Sequence, residues 1–333
     1  MKRKLALALA AMAVAGGATV LQAQGKDKTI ATVVKITGIN WFNRMEAGVK
    51  EFGEKNAGFK TSQSGPGQAD AAQQLRMIED LLAKKVDALA IVPNDPSALE
   101  PLFKKAMDRG VIVITHEAES QKNAHADIEA FDNSAYGARL NDRLAACMGN
   151  EGKWTSFVAS LGNESHNQWA DGGANNAKAK YVKMVLVDAK NESTNDANKA
   201  YEKAKEILRK HPDIKGFQGS SSLDVLGIGR AIDEAGLQAK TCVFGTGLPN
   251  DSAKFLESGA IDGISFWDPK DAGIAMNKLA QILLDKKQIT DGMDLGVKGY
   301  EKVKVTKGAG SGVVVKGQAW VDVDKSNYKQ YPF

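Results

Sequence analysis

Polar side chains of a restricted kind recur along this chain, each group directly after a strand-like apolar run. After the run 29–34 come Lys35, Thr37, Asn40, Trp41 and Asn43; after 59–62, Gln63, Ser64 and Gln68; after 86–92, Asn94 and Asp95; after 111–115, His116 and Glu117. A second series supplies Asn163, Ser165, His166, Asn167 and Trp169, then Ser220, Ser221 and Ser222, then Thr246, then Trp267 and Asp268. In doubly wound sheets, ligands sit at the carboxyl ends of the strands. Amides, hydroxyls and carboxylates gathered there suit a sugar-like polyol, because every hydroxyl of such a ligand both donates and accepts. An indole face packs against the C–H side of a sugar ring.

Several of these residues carry two readings. Asp95 stands directly before Pro96 and fits a helix cap as well as a ligand contact. Asp132-Asn133 precedes a helix and is open to the same alternatives. Lys35 ends a buried strand, and its amine either reaches solvent at the rim or enters the cleft. His116 and Glu117 are either cleft residues or a surface loop. Ser220 to Ser222 are either cleft residues or one helix cap and nothing more. Trp41, Trp169 and Trp267 lie at strand-to-helix transitions and are cleft candidates; Trp154 and Trp320 read as packing.

The elements that must position these groups alternate in type. Strand-like runs at 29–34, 59–62, 86–92 and 111–115 alternate with helical periodicity at 41–55 and 71–84 and with a helix opened by Asp95-Pro96. After Phe131 a second series begins, with helices at 134–148, 168–179, 194–210 and 223–235 and strands at 154–158, 182–187, 214–218, 241–244 and 261–266. A helix at 271–284 and a β-prone tail at 302–323 follow, with a Gly-rich turn at 308–312. Strands alternating with helices imply βαβ units and parallel sheets. The expected division is a leader, 1–23; a first lobe, 28–131 plus 268–300; and a second lobe, 132–267 plus 301–333. No Pro/Ser-rich linker separates the lobes, so extended crossovers at a hinge should join them.

The first 23 residues read as a secretory leader: Lys2-Arg3-Lys4, an uncharged stretch from Leu5 to Leu21, and Gln22-Ala23 before Gln24. The apolar stretch nearly reaches spanning length, but Gly16, Gly17 and Thr19 weaken it as an anchor. No Cys near the cleavage site offers a lipid anchor. Of 333 residues, removing 23 leaves 310, enough for two α/β lobes. Losing Lys2, Arg3 and Lys4 takes the formal charge from +4 to +1, which argues against nucleic acid as partner.

Catalytic patterns are missing. There is no GxSxG elbow and no phosphate-binding GxxxxGK[ST] loop, and Gly65-Pro66-Gly67 fits no dinucleotide fingerprint. The histidines (His116, His125, His166, His211) lack metal-ligand spacing. Cys147 and Cys242 are the only cysteines. Cys147 falls near the end of one helix and Cys242 at the start of a strand, so both ends lie away from the cleft; an exported chain would keep such a pair oxidised. A Cys147–Cys242 disulfide is the expectation, with two buried thiols as the alternative.

The stretches Ala31-Thr32-Val33-Val34-Lys35-Ile36-Thr37-Gly38 and Ile91-Val92-Pro93-Asn94-Asp95-Pro96-Ser97-Ala98, with Asp132-Asn133 before a helix, resemble type I periplasmic sugar-binding proteins of ABC importers. Asn167-Gln168-Trp169 and Phe266-Trp267-Asp268 are similar to the rhamnose-binding and autoinducer-2-binding branch. The resemblance covers nearly the whole exported chain. It implies two doubly wound parallel-sheet lobes joined by a hinge, with no catalysis and no cofactor. It also implies a monomer that captures a small sugar or polyol and hands it to an inner-membrane ABC permease. A signalling receptor that presents its ligand-bound form to a chemoreceptor has the same fold. The implied ligand-binding residues are Lys35, Trp41, Asn94, His116, Glu117, Asp132, His166, Asn167, Ser220, Ser222, Thr246, Trp267 and Asp268. The autoinducer-2 pattern is broken: Glu117 replaces a shorter acid, Ser165-His166 stands for Asp-Gln, and Ser220-Ser221-Ser222 for a loop with Pro and Ala. The ribose-type pattern lacks its arginines, and Thr246 stands for its late Asp.

Overall fold

Apolar runs too short to be helices form the strands, and amphipathic segments between them pack across the sheet faces. The computed structural model describes residues 27–333; the expected leader lies outside them. The first series is β1 (Lys28–Val33), α1 (Asn40–Lys55), β2 (Phe59–Ser64), α2 (Ala71–Ala83), β3 (Ala88–Ile91), α3 (Pro96–Asp108), β4 (Ile112–His116) and β5 (Ala126–Glu129). The second is α4 (Asn133–Met148), β6 (Glu151–Val158), α5 (Glu164–Lys180), β7 (Lys183–Leu186), β8 (Asn191–Glu192), α6 (Ala197–Lys210), β9 (Ile214–Gly219), α7 (Ser222–Ala235), β10 (Cys242–Thr246), α8 (Pro249–Ser258) and β11 (Gly263–Phe266). Then come α9 (Pro269–Leu284), β12 (Lys304–Lys307), β13 (Val313–Lys316) and β14 (Val321–Val323). No described helix is long and apolar enough to cross a membrane.

Two sheets result. The first has the order β12-β13-β5-β4-β3-β1-β2, the second β14-β11-β10-β9-β6-β7, with β8 also on β6. Within each, the parallel core repeats one doubly wound order, so each has a switch point where successive connections leave in opposite directions. In the first sheet it lies between β1 and β3, in the second between β6 and β9. β3 is buried at every position, as a strand covered on both faces must be.

The chain crosses between lobes three times: after β5, after β11, and between β13 and β14. The third crossing corrects the expected division, which put all of 301–333 in the second lobe. β13 pairs in parallel with β5, and β12 pairs antiparallel with β13, so this hairpin extends the first sheet. Only β14 joins the second sheet, antiparallel to β11. The β character of the tail was legible; its partner was not, because β5 (Ala-Asp-Ile-Glu) is only four residues long and nothing local says which strand pairs with it.

Cys147 and Cys242 are joined by a disulfide, with their Cα atoms 6.1 Å apart. It links the end of α4 to the first residue of β10, at the opposite end of the second sheet from the Ser220 and Thr246 loops. Replacing both cysteines by serine should cost about 2–4 kcal/mol of stability, read by denaturant unfolding, and leave ligand affinity nearly unchanged. Thiol titration of unfolded, unreduced protein should find no free thiol.

Candidate functional site

The carboxyl ends of the two sheets face each other and close around a cavity of about 30 Å³. From the first lobe come Lys35, Ile39, Trp41, Phe42 and Glu117; from the second, His166, Trp169, Asn195, Ser220, Ser221, Ser222, Thr246 and Trp267. That is far below the roughly 300–1,000 Å³ usual for small-molecule sites, because the two lobes are closed on one another.

An ion pair forms one end. Lys35 Nζ lies 2.6 Å from Glu117 Oε2, and the two residues are only 2 % and 4 % exposed. Lys35 also donates to Asn163 Oδ1 at 3.2 Å and to Ser165 Oγ at 3.4 Å, both on the second lobe. Its three N–H donors are therefore all taken. Ser165 Oγ in turn donates to Glu117 Oε2 at 2.7 Å. Burial by itself would raise the Glu117 pKa; Lys35 overrides it and holds the carboxyl at about 2. Glu117 adopts φ +63°, the left-handed region that a non-glycine residue enters only when its surroundings hold it there. β5 does the holding. Asp127 Oδ1 accepts from Thr115 Oγ1 at 2.7 Å and from the Ala118 amide at 3.2 Å, and His116 Nδ1 donates to the Ile128 carbonyl at 2.5 Å.

The remaining polar groups come with their roles assigned. The Ala159 amide donates to His166 Nδ1 at 3.1 Å, so a neutral ring carries its proton on Nε2. Burial, reinforced by Lys35, lowers the His166 pKa to about 3 and keeps it neutral. Tyr136 spends its proton on the Ser265 carbonyl at 2.9 Å, so Thr246 Oγ1, 3.0 Å away, donates to Tyr136 and keeps its lone pairs for the cavity. Ser221 donates to Asn195 Oδ1 at 2.8 Å and caps α7. Trp267 Nε1 is buried and has no partner among the described residues. The wall thus offers N–H donors from His166 and Trp267 and acceptors from Thr246 and Glu117 Oε1.

Aromatic rings enclose this polar set. Trp41 and Trp267 meet edge to face at 4.7 Å, and Trp169 lies 5.6 Å from Trp267. Trp169 can sit there because α4 and α5 approach closely at Gly137, where a Cβ would stand 2.0 Å from the Trp169 carbonyl oxygen.

Of the expected site residues, Lys35, Trp41, Glu117, His166, Ser220, Ser222, Thr246 and Trp267 line the cavity. The others do not. Asn94 donates to the Lys35 carbonyl at 2.7 Å and accepts nothing from the cavity; it fixes the backbone that carries Lys35 and lines a groove at the cleft mouth. His116 is wholly buried behind Trp267, ring to ring at 5.9 Å. Asn167 spends its amide on the Ser160 and Asn163 carbonyls. Asp132 caps α4 and pairs with Lys316 at 3.0 Å. Asp268 caps α9 and holds Arg44 in two hydrogen bonds of 2.9 and 2.6 Å. These acids stand before helices, and unpaired helix N–H groups claim them first. Ile39, Phe42 and Asn195 were missed. Asn195 follows Thr194, both with positive φ, in a turn before α6 that periodicity merges into the helix.

Two doubly wound lobes on a three-stranded hinge, closed over a polar, aromatic-walled cavity, define the architecture of a cleft-type binding protein. Residues 30–288 match the periplasmic binding protein domain family, and the chain belongs to it. It is similar to the D-allose-binding periplasmic protein of Escherichia coli K12, 27% identical over 224 residues, which are 64% of this chain and 71% of that one. It is similar also to the D-ribose/D-allose-binding protein of Pseudomonas aeruginosa PAO1, 28% identical over 65% of this chain and 69% of that one. Among solved structures, an ABC transporter solute-binding protein of Clostridium phytofermentas with bound L-rhamnose superposes with a TM-score of 0.84 at 21% identity, covering 92% of this chain and 98% of that one. LsrB from Clostridium saccharobutylicum in complex with AI-2 gives 0.82, also at 21% identity, over 92% and 100%.

Replacing Lys35 by alanine leaves the Glu117 carboxylate buried without its cation when the lobes close, an unpaired charge worth about 3–5 kcal/mol. Affinity at pH 7 should fall by about two orders of magnitude or more. The sign of the pH effect follows. With Lys35 present, Glu117 stays ionised until the pH falls toward about 2, so wild-type affinity should owe no change to Glu117 between pH 7 and 5. Without it, burial favours the protonated acid, so the affinity of the variant should recover as the pH is lowered over that range. Titration calorimetry of Lys35→Ala, and of Lys35→Ala with Glu117→Gln, which should show no such recovery, checks this.

Proposed function

We propose that this protein captures a small neutral sugar or polyol between its lobes in the periplasm and delivers it to an ABC permease. The supporting observation is the composition of the cavity wall. Lys35 and Glu117 cancel each other and His166 is neutral, so the site holds no net charge to attract a sugar acid or phosphate. The wall carries both donors (His166, Trp267) and acceptors (Thr246, Glu117), which is what hydroxyl groups require. Trp41, Trp169 and Trp267 supply apolar faces for ring or chain carbons. The sugar ligands of the related and similarly folded proteins agree with this reading.

The working cycle is hinge closure. A ligand that touches both lobes binds the closed form better and shifts the population toward it. The leader-like pattern of residues 1–23 supports export.

A thermal-shift screen of pentoses, hexoses, deoxysugars, polyols and sugar acids tests the ligand class. A true ligand at 100 times its Kd should add about 2.7 kcal/mol of stability. Neutral carbohydrates should give the shift and sugar acids none; a charged ligand alone would overturn the reading. Intact-mass analysis of exported protein should show a chain that begins at Gln24.

A further inference from the structure

We infer that Cys147 and Cys242, once their disulfide is reduced, form with the Asp262 carboxylate a binding site for zinc or a similar thiolate-seeking divalent cation, at the end of the second lobe away from the cleft.

Three observations carry it. First, the ligand atoms are already gathered. Cys147 Sγ, Cys242 Sγ and a carboxylate oxygen of Asp262 all lie within 4.8 Å of one another. Second, the carboxylate stands where a tetrahedral zinc shell needs it. Zinc–sulfur and zinc–oxygen bonds of about 2.3 and 2.1 Å put neighbouring sulfur and oxygen ligands about 3.6 Å apart. Asp262 Oδ1 is 3.6 Å from Cys147 Sγ. Third, that oxygen is held in place and unspent. Asp262 Oδ2 accepts from the Val243 amide at 2.7 Å, and the Asp262 amide donates to the Val243 carbonyl at 3.0 Å. These two bonds fix the side chain with Oδ1 toward the sulfur. A disulfide sulfur carries no proton, so Oδ1 has no donor among the described residues.

The surroundings allow the change of state. Cys147 is exposed, in the last turn of α4, so a reductant reaches its sulfur and its side chain can turn away from Cys242 once the bond is open. A small dithiol is the reductant required. Two electrons and two protons pass to the Cys147 and Cys242 sulfurs, and the dithiol leaves as its own disulfide. Zinc then displaces both thiol protons to solvent and takes the Asp262 carboxylate as its third ligand. Three protein ligands leave a fourth position to water, the arrangement of an accessible zinc site. Two thiolates select zinc over magnesium and calcium, which take oxygen ligands. The ion replaces the covalent clamp between α4 and β10 and ties in the loop before β11. In the oxidised protein both sulfurs are committed to each other, and the site is closed to metal.

Metal titration of the full exported chain tests this, with Co²⁺ as the probe on protein reduced by a phosphine under argon. The reduced wild type should take up a single equivalent of Co²⁺, with thiolate-to-metal charge-transfer bands and the visible bands of tetrahedral cobalt. Zn²⁺ should abolish these bands; Mg²⁺ and Ca²⁺ should not. About two protons should be released for each Zn²⁺ bound. The oxidised protein should show no bands. Asp262→Asn keeps both thiols and can still accept from the Val243 amide; it should bind at least about tenfold more weakly, since even a ligand's hydrogen-bond partner is worth 10–100-fold. X-ray absorption at the zinc edge reads the ligand set of the reduced wild type without any substitution, and should find two sulfur scatterers with lighter ones completing the shell. Cobalt bound without charge-transfer bands, equal binding by oxidised protein, an Asp262→Asn affinity equal to that of wild type, or a zinc shell without two sulfurs overturns the inference.

Discussion

A lysine and a glutamate buried together at the meeting of two lobes constrain most of what surrounds them. Taking both charges out of water costs several kcal/mol each, and their attraction repays it only with good geometry and further hydrogen bonds. The first lobe cannot supply those bonds alone. Asn163 and Ser165, from the second lobe, complete the shell around Lys35 and Glu117. The pair is thus better satisfied in the closed molecule than either lobe could make it. Its geometry is imposed from behind: Asn94 holds the Lys35 backbone, and Asp127 and Ile128 hold the left-handed turn at Glu117. Burial raises the Asp127 pKa to about 7, the cost of keeping an acid there to pin that turn.

The hinge is held by aromatic packing as well as by ion pairs such as Lys316–Asp132 and Arg44–Asp268. Phe131 follows β5 on the first crossing, Trp267 follows β11 on the second, and Trp320 precedes β14 on the third. Phe131 lies 5.2 Å from Trp267 and 5.6 Å from Trp320, and stacks on Tyr136 at 4.1 Å. Edge-to-face and stacked rings tolerate small rotations with little loss, since they lack the narrow angular demands of hydrogen bonds. Trp267 belongs both to this cluster and to the cavity wall. A ligand that accepts from its unpartnered Nε1 therefore touches the hinge directly.

Polar residues after strands divide into two groups by what claims them first. Where a helix begins within one residue, as at Asp95, Asp132 and Asp268, free backbone N–H groups take the side chain. Where the loop continues, as at Lys35 and Glu117, or where the side chain stands within the first turn beyond the cap, as at His166, the group faces the cleft. Ser221 does both, capping α7 and lining the cavity.

By itself the sequence determined the alternation of strands and helices, the placing of the polar groups at strand ends, and most of the cavity wall: Lys35, Trp41, Glu117, His166, Ser220, Ser222, Thr246 and Trp267. These are consequences of local patterning, which a single chain displays in order. The pairing of the strand at 126–129, the sheet that takes 304–316, and Asn195 in the wall were not legible, because each is defined by a partner far along the chain; the helix at 249–258 has local signals, Pro249 at its start and Gly259 at its end, but is only ten residues long. Only the tertiary structure decided that Lys35 spends its donors on the protein, that His166 presents Nε2–H, and that Asn94, Asn167 and His116 support the site from outside the cavity. Hydrogen-bond roles are settled by which groups meet in space, and no spacing along a chain encodes that.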